Sequence, residues 1–256
     1  MSLFRFFCGV AAFAVFAVSP VQARTLDEVK QRRALSMCAH PDALPYASEK
    51  GDLPGIQVEL GRKIAEALGV SLNTEWIVAR RRASQVNCDL LFDTINRPEV
   101  HEGKLLLSRP YQKSGVALGL RADAAPVDSY YDLKSGQKVG VMVSSLTSVL
   151  LGKRGLTTSP YAFEQDMIED LVKGELYAAT VSPAKLAWYI QQHPDSRLRL
   201  VHAYEHEPEL AWTVSVGLRK ADQALLDEVN AILDRLLTDG TIGRIYARYG
   251  VEHRQP

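Results

Sequence analysis

The sequence has three cysteines among 256 residues, no net charge and no long apolar run beyond its first twenty or so positions. Each shortage excludes something. Its 30 Lys and Arg are matched by 30 Asp and Glu, whereas a nucleic-acid partner calls for a basic excess to meet phosphates. The run Arg80-Arg81-Arg82 is the one basic cluster and reads as a solvated turn or helix face. A glycine-rich phosphate loop is missing, as is any Ser-His-Asp or Cys-His arrangement, so catalysis has no visible home. The expectation is a protein that is not an enzyme and carries no cofactor and no metal. Internal repeats and low-complexity tracts are also absent.

The first apolar run sets the compartment. Arg5 supplies a positive charge, Phe6 to Val18 is almost unbroken Phe, Val and Ala, and Ser19-Pro20 breaks the run before Val21-Gln22-Ala23. This pattern predicts a cleavable secretory signal peptide over residues 1–23 and a periplasmic protein. About 13 apolar residues fall short of the roughly 20 needed to span a bilayer, so no membrane insertion is expected after cleavage. About 230 residues then remain, enough for one large domain or two modest ones. Cys38 and Cys88 survive, and an oxidising compartment permits them to pair. If each sits in a parallel strand, their sulfurs lie roughly 10 Å or more apart, too far to bridge without a bend.

Short β-branched runs alternate with helical periods, the pattern of βαβ units and a mostly parallel sheet. Strands are predicted at Ala34–Ala39, Ser71–Val78 and Asp89–Ile95, with a helix over Gly55–Leu68 after a proline-rich loop. Gly115 to Leu120 reads as a strand crossing to a second lobe, and Arg121 to Asp132 as an exposed link. A second series runs from Lys138 to Ala203, and Trp212 to Leu218 returns to the first lobe. Two amphipathic helices, separated by Gly240, fill Asp222 to Tyr249. The expected architecture is therefore α/β and two-lobed: residues 24–118 with 210–256 form one lobe, 119–209 the other, and two hinge crossings join them around a cleft.

Several short segments then carry a resemblance. Leu44-Pro45-Tyr46, Gly55 to Leu60, Cys88 to Leu91, Ser108-Arg109-Pro110-Tyr111, Val139-Gly140-Val141 and Asp239 to Gly250 stand in the order and spacing of one family. The chain resembles the extracytoplasmic solute-binding proteins of family 3, which have the type 2 periplasmic binding protein fold and serve polar amino acid importers. The resemblance implies a small polar solute and the membrane permease of an ABC importer as partners. Two departures qualify it. Val100 stands where such proteins have an arginine for the ligand carboxylate, a bidentate partner, with Arg97 close but displaced. Ser182-Pro183 stands where an aspartate holds the ligand ammonium. An ordinary α-amino acid is therefore not the expected ligand. Cys38 to Ser48, Cys88 and Pro183 are similar to a subgroup associated with periplasmic quinoprotein (PQQ-dependent) alcohol dehydrogenases, which implies an accessory role beside such an enzyme as the alternative.

Candidate ligand-binding residues follow from the loops that face a cleft. His40, Asp42 and Tyr46 follow the first strand, though Pro41 and Pro45 shaping a turn with solvated polar groups accounts for them equally. Asp93, Thr94 and Arg97 end the third strand, where Arg97 either binds ligand or pairs with Asp93 or Glu99. Ser145, with Ser144 and Thr147, precedes a helix whose amides can receive a polar group, or it is a plain N-cap; Ser182 has the same two readings. His202-Ala203-Tyr204-Glu205-His206 matches an H-x-x-E-H zinc pattern, but Pro208 and the preceding strand leave no helix to hold it, and a charged surface loop is the better account.

Overall fold

The computed structural model describes residues 24–79, 82–86 and 88–256. The leader and cleavage site expected over residues 1–23, together with Arg80 and Arg81, lie outside the described residues.

Thr25 starts helix α1 (Leu26–Arg32) with a reciprocal cap: its hydroxyl accepts the Glu28 amide, and the Glu28 carboxylate accepts the Thr25 amide. Next come β1 (Ala34–Ala39), the two-strand ribbon of β2 (Asp42–Ala43) and β3 (Ala47–Ser48), and α2 (Ile56–Ala67), whose Val58, Leu60, Ile64 and Ala65 are buried. Then follow β4 (Ser71–Trp76), α3 (Ala83–Val86), β5 (Leu90–Ile95), α4 (Pro98–His101), β6 (Leu105–Leu107) and β7 (Gln112–Gly115). The second lobe holds β8 (Ala117–Arg121), β9 (Lys138–Met142), α5 (Leu146–Lys153), β10 (Thr157–Tyr161), α6 (Glu164–Lys173), β11 (Ala178–Val181), α7 (Pro183–Gln192) and β12 (Leu198–Val201). β13 (Ala211–Arg219), α8 (Gln223–Thr238) and α9 (Thr241–Arg248) return to the first.

The first sheet runs β4-β1-β5-β13-β6, with β7 also beside β13; the second runs β10-β9-β11-β8-β12. Each sheet is parallel across its three βα strands and antiparallel where the crossing strands join it. The reversals fall at β8 and β13, the strands by which the chain enters each sheet from the other. The first core gathers Leu35, Met37, Leu60, Ile64, Phe92, Val216, Val229 and Ile245, and the second Leu118, Leu120, Val139, Val141, Met167, Leu171 and Leu186. Helix α8 joins the first core through Leu225, Val229, Ile232 and Leu233, one face of a 3.6-residue period, and α9 joins it through Ile242, Ile245 and Tyr246.

The chain changes sheets at Val116, between β7 and β8, and again across two 3-10 turns (Ala203–His206 and Pro208–Leu210) between β12 and β13. The crossings lie side by side: Gly115 pairs with Ala211, and the Val116 amide donates to the Leu210 carbonyl at 2.9 Å. Only glycine fits at 115, because a Cβ there would meet the Tyr204 ring and the Leu210 carbonyl. The stretch after β8, expected to be an exposed link, is instead anchored: Val127 and Tyr130 are buried in the second core, and the Tyr130 hydroxyl donates to the Val116 carbonyl at 2.8 Å.

Cys38 and Cys88 form a disulfide, with Cα atoms 5.5 Å apart. The separation expected from two parallel strands is corrected by the register. Cys38 lies opposite Leu91, Cys88 precedes β5, and the chain there bends onto β1, where the Asp89 amide donates to the Ser36 carbonyl at 3.1 Å. No helix among the described residues is long and apolar enough to cross a membrane.

Candidate functional site

Between the sheets lies a cavity of about 370 Å³. The first lobe and the crossings contribute Tyr46, Asp93, Gln112, Ser114 and Trp212, and the second lobe contributes Met142, Ser145, Thr147, Glu164, Thr180 and Ser182. Small-ligand sites have this size and this mixture of apolar wall and few polar groups.

Tyr46 is placed by backbone. The first amides of α2, Ile56 and Gln57, donate to the carbonyls of Pro45 and Tyr46 at 2.9 Å each. Gly55, at φ 95°, brings this helix start so close that a Cβ would strike Tyr46 and Ala47. From there the Tyr46 hydroxyl reaches Ser182 Oγ at 2.6 Å, a direct bond between the lobes. A second inter-lobe contact lies behind it, where Ala184, Ala187 and Trp188 of α7 pack on the first core and Trp188 meets Tyr249 with ring centroids 5.9 Å apart.

Asp93 is aimed by a break in strand pairing. The register of β13 on β5 shifts between Ser215 and Gly217, and Asp93 takes φ 52°, a left-handed conformation uncommon outside glycine. Its carboxylate accepts from Gln57 Nε2 and from the Tyr111 hydroxyl. Burial first, and the Asp93 charge second, push the phenols of Tyr46, Tyr111 and Tyr246 above the ordinary tyrosine value. All three stay neutral phenols.

Glu164, the first residue of α6, supplies a second carboxylate. It accepts the Ser182 amide, capping α7, and Lys185 Nζ stands 3.9 Å away on the far side. Burial raises its carboxyl above the ordinary glutamate value despite these partners.

Of the residues expected at the site, Tyr46, Asp93, Ser145 and Ser182 line this cavity, as does Thr147. Ser145 also caps α5, accepting the Ser148 amide at 3.2 Å. His40 lines a neighbouring recess with Gln57 and Val78 that shares Asp93, and its Nδ1 accepts the Asp42 amide at 3.1 Å. Three more of the expected residues line neither recess. Asp42 is exposed in β2. Thr94 is buried beyond the break in β5, and its hydroxyl donates to the Leu91 carbonyl at 2.9 Å. Arg97 caps the short α4 with an exposed side chain, and Val100 beyond it is 58% exposed. In the H-x-x-E-H string, Glu205 pairs with Arg254, and His202 Nε2 stands 3.5 Å from Glu252.

Sequence reasoning missed Gln112, Ser114, Thr180 and Trp212, which sit on the crossing strands and β11, and it missed Glu164. The charge judged absent with the aspartate at 182 is therefore present, delivered by a different element. An acidic residue at the start of a helix was the available signal for Glu164.

Two α/β lobes joined by adjacent crossings, with a small polar cavity between them, define a two-lobed binding protein of the type 2 periplasmic fold. The chain belongs to the bacterial extracellular solute-binding proteins, family 3, whose model matches residues 35–252. It is 25% identical to the L-cystine-binding protein TcyJ of Escherichia coli strain K12, covering 91% of this chain and 90% of that one. It is 23% identical to a probable amino-acid ABC transporter-binding protein of Haemophilus influenzae, covering 93% and 91%. Among solved structures, the unliganded open L-cystine solute receptor of Neisseria gonorrhoeae superposes with a TM-score of 0.74 at 17% identity, covering 90% of this chain and 99% of that one. A membrane-bound lytic murein transglycosylase F of Pseudomonas savastanoi is 24% identical over 88% of this chain, which spans 47% of that protein.

Proposed function

We propose that this is a periplasmic binding protein that captures a small polar solute, other than an ordinary α-amino acid, between its lobes and presents it to the permease of an ABC importer. One observation carries the reading: a cavity of about 370 Å³ is walled by both lobes and bridged by the Tyr46–Ser182 hydrogen bond. A solute seated there touches both halves and so stabilises their closure. The names of the transporter-binding relatives support the importer role. Against an α-amino acid stands the wall itself, which among the described residues holds no arginine or lysine to meet a carboxylate. A buried carboxylate without such a partner costs several kcal/mol. A thermal-shift screen over sugars, amines, amino acids, organic acids and alcohols tests the proposal. A true ligand at about 100 times its Kd adds about 2.7 kcal/mol of stability, and a screen in which nothing raises the melting temperature contradicts it.

A second reading, an accessory protein of a periplasmic PQQ-dependent alcohol dehydrogenase, draws support from the Cys38–Cys88 bridge and from Pro183 at the start of α7, the features on which that resemblance rests. Co-purification of a dehydrogenase with a protein that no solute stabilises would favour it.

A further inference from the structure

We propose that the captured solute is uncharged: a small molecule with an apolar body and hydroxyl or amide groups, held by neutral donors in the cavity wall. This rests on the cavity being the solute site argued above.

The polar groups that the wall leaves to a ligand are neutral. Thr147 and Thr180 line the cavity and are only 2% and 3% exposed, yet neither hydroxyl bonds to another described residue, and the same holds for the hydroxyl of Ser114. Among the described residues, the one buried side-chain polar atom sealed off without a partner is Ser196 Oγ, so these three hydroxyls still reach accessible space. Gln112 gives its Oε1 to the Tyr246 hydroxyl and keeps its Nε2 for another acceptor. Buried polar groups call for partners, and a seated solute with hydroxyls or an amide supplies them.

The charged groups of the wall are turned to protein. Asp93 accepts from Gln57 and Tyr111, and Glu164 accepts the Ser182 amide with Lys185 Nζ 3.9 Å away. No described Lys, Arg or His lines the cavity, and Arg97 is exposed on α4. A ligand carboxylate would meet two like charges and no described cation. A ligand ammonium would have to compete with donors that already hold both carboxylates. Either ion gives up more hydration on entry than a hydroxyl or an amide does.

The rest of the wall is apolar. Ile95, Val116, Met142, Val181, Val214 and Trp212 come from both sheets and the crossing between them. They remove a hydrocarbon body from water, and the Met142 thioether and Trp212 indole suit a flat or branched one. A sugar, hydroxylated all round, would set polar groups against these side chains.

The test uses probes that share one body and differ in charge: phenethyl alcohol and phenylacetamide against phenethylamine and phenylacetate, and isoamyl alcohol against isoamylamine and isovalerate. Ligand-observed NMR titration of the wild-type protein is expected to show a neutral member binding tenfold or more tighter than either ion of its series. Thr147→Val and Thr180→Val each remove a hydroxyl at nearly constant size. At least one, with an unchanged melting temperature, is expected to weaken the best neutral probe about fivefold, the effect of one hydrogen bond. An ion that binds as tightly as the best neutral probe, a panel in which no neutral probe binds, or neutral binding that both threonine variants leave unchanged overturns the inference. Each of these leaves the binding-protein reading to the wider screen, and stabilisation by no solute of any class removes both.

Discussion

Asp89 is 1% exposed, and its carboxylate is met by the guanidiniums of Arg24 and Arg32 and by the amide and hydroxyl of Ser36, each of the last two at 2.8 Å. A buried charge survives only when paired and hydrogen-bonded. Asp89→Ala strips two cations and one amide of their partner at once, and a loss of about 3 kcal/mol is expected, read from the denaturant midpoint; a loss below about 1 kcal/mol would mean that the network does little. Two histidines give a pH dependence. Burial, with Arg254 adding its repulsion at His202, holds His202 and His253 below the usual histidine value. The unfolded chain therefore takes up these protons first, so this stability is full above about pH 6.5 and falls as pH drops through the lowered folded values. His253 Nε2 donates to the Tyr111 carbonyl at 2.8 Å. His253→Gln keeps such a donor without the charge, so its melting temperature should fall less than that of wild type between about pH 7.5 and 5.5. At this scale the expected residues Tyr46, Asp93, Ser145 and Ser182 lie in the cavity wall, because strand ends and helix starts face a cleft. The sequence did not reveal Glu164, which reaches the site only because the start of α6 docks beside the start of α7.

Among the elements, those with a strong period were legible. β1 spans the expected Ala34–Ala39, and α2, β5 and β13 fall within a few residues of their expected limits. The elements that were missed lack a period: β2 and β3 have two residues each and β6 has three. α1 was readable from the Thr25-x-x-Glu28 cap, but that signal sits directly beside the expected cleavage site. The disulfide was illegible for a geometric reason, since strand register alone cannot foretell the bend ahead of β5. Closing a chain of 50 residues, the bridge is worth about 4 kcal/mol in the chain-entropy account. A reductant, or Cys88→Ser, should therefore lower the melting temperature by many degrees; an unchanged melt would show that the bridge is not formed in solution. A side chain at position 115 has nowhere to go between Tyr204 and Leu210. Gly115→Val is expected to cost about 1–3 kcal/mol through overpacking, read in the same denaturation assay.

For the whole molecule, the sequence foretold two α/β lobes because the second βα series begins anew after a composition shift and a late strand returns. It could not foretell how far the lobes interlock. The α7 contact through Trp188 and the Tyr46–Ser182 bond depend on surfaces more than 60 residues apart in sequence. Both lobes contribute to the cavity wall, so the charge of a solute seated there must be answered in part by that wall. Native mass spectrometry of the protein purified from a periplasmic extract tests this capture most directly. The account predicts a non-covalent adduct of a few hundred daltons or less on the wild type, absent from Ser182→Trp, whose indole occupies the cavity and breaks the inter-lobe bond. A wild-type protein that never carries or takes up such an adduct, or a Ser182→Trp variant that retains it equally, would contradict the claim that the cleft is where a solute is held.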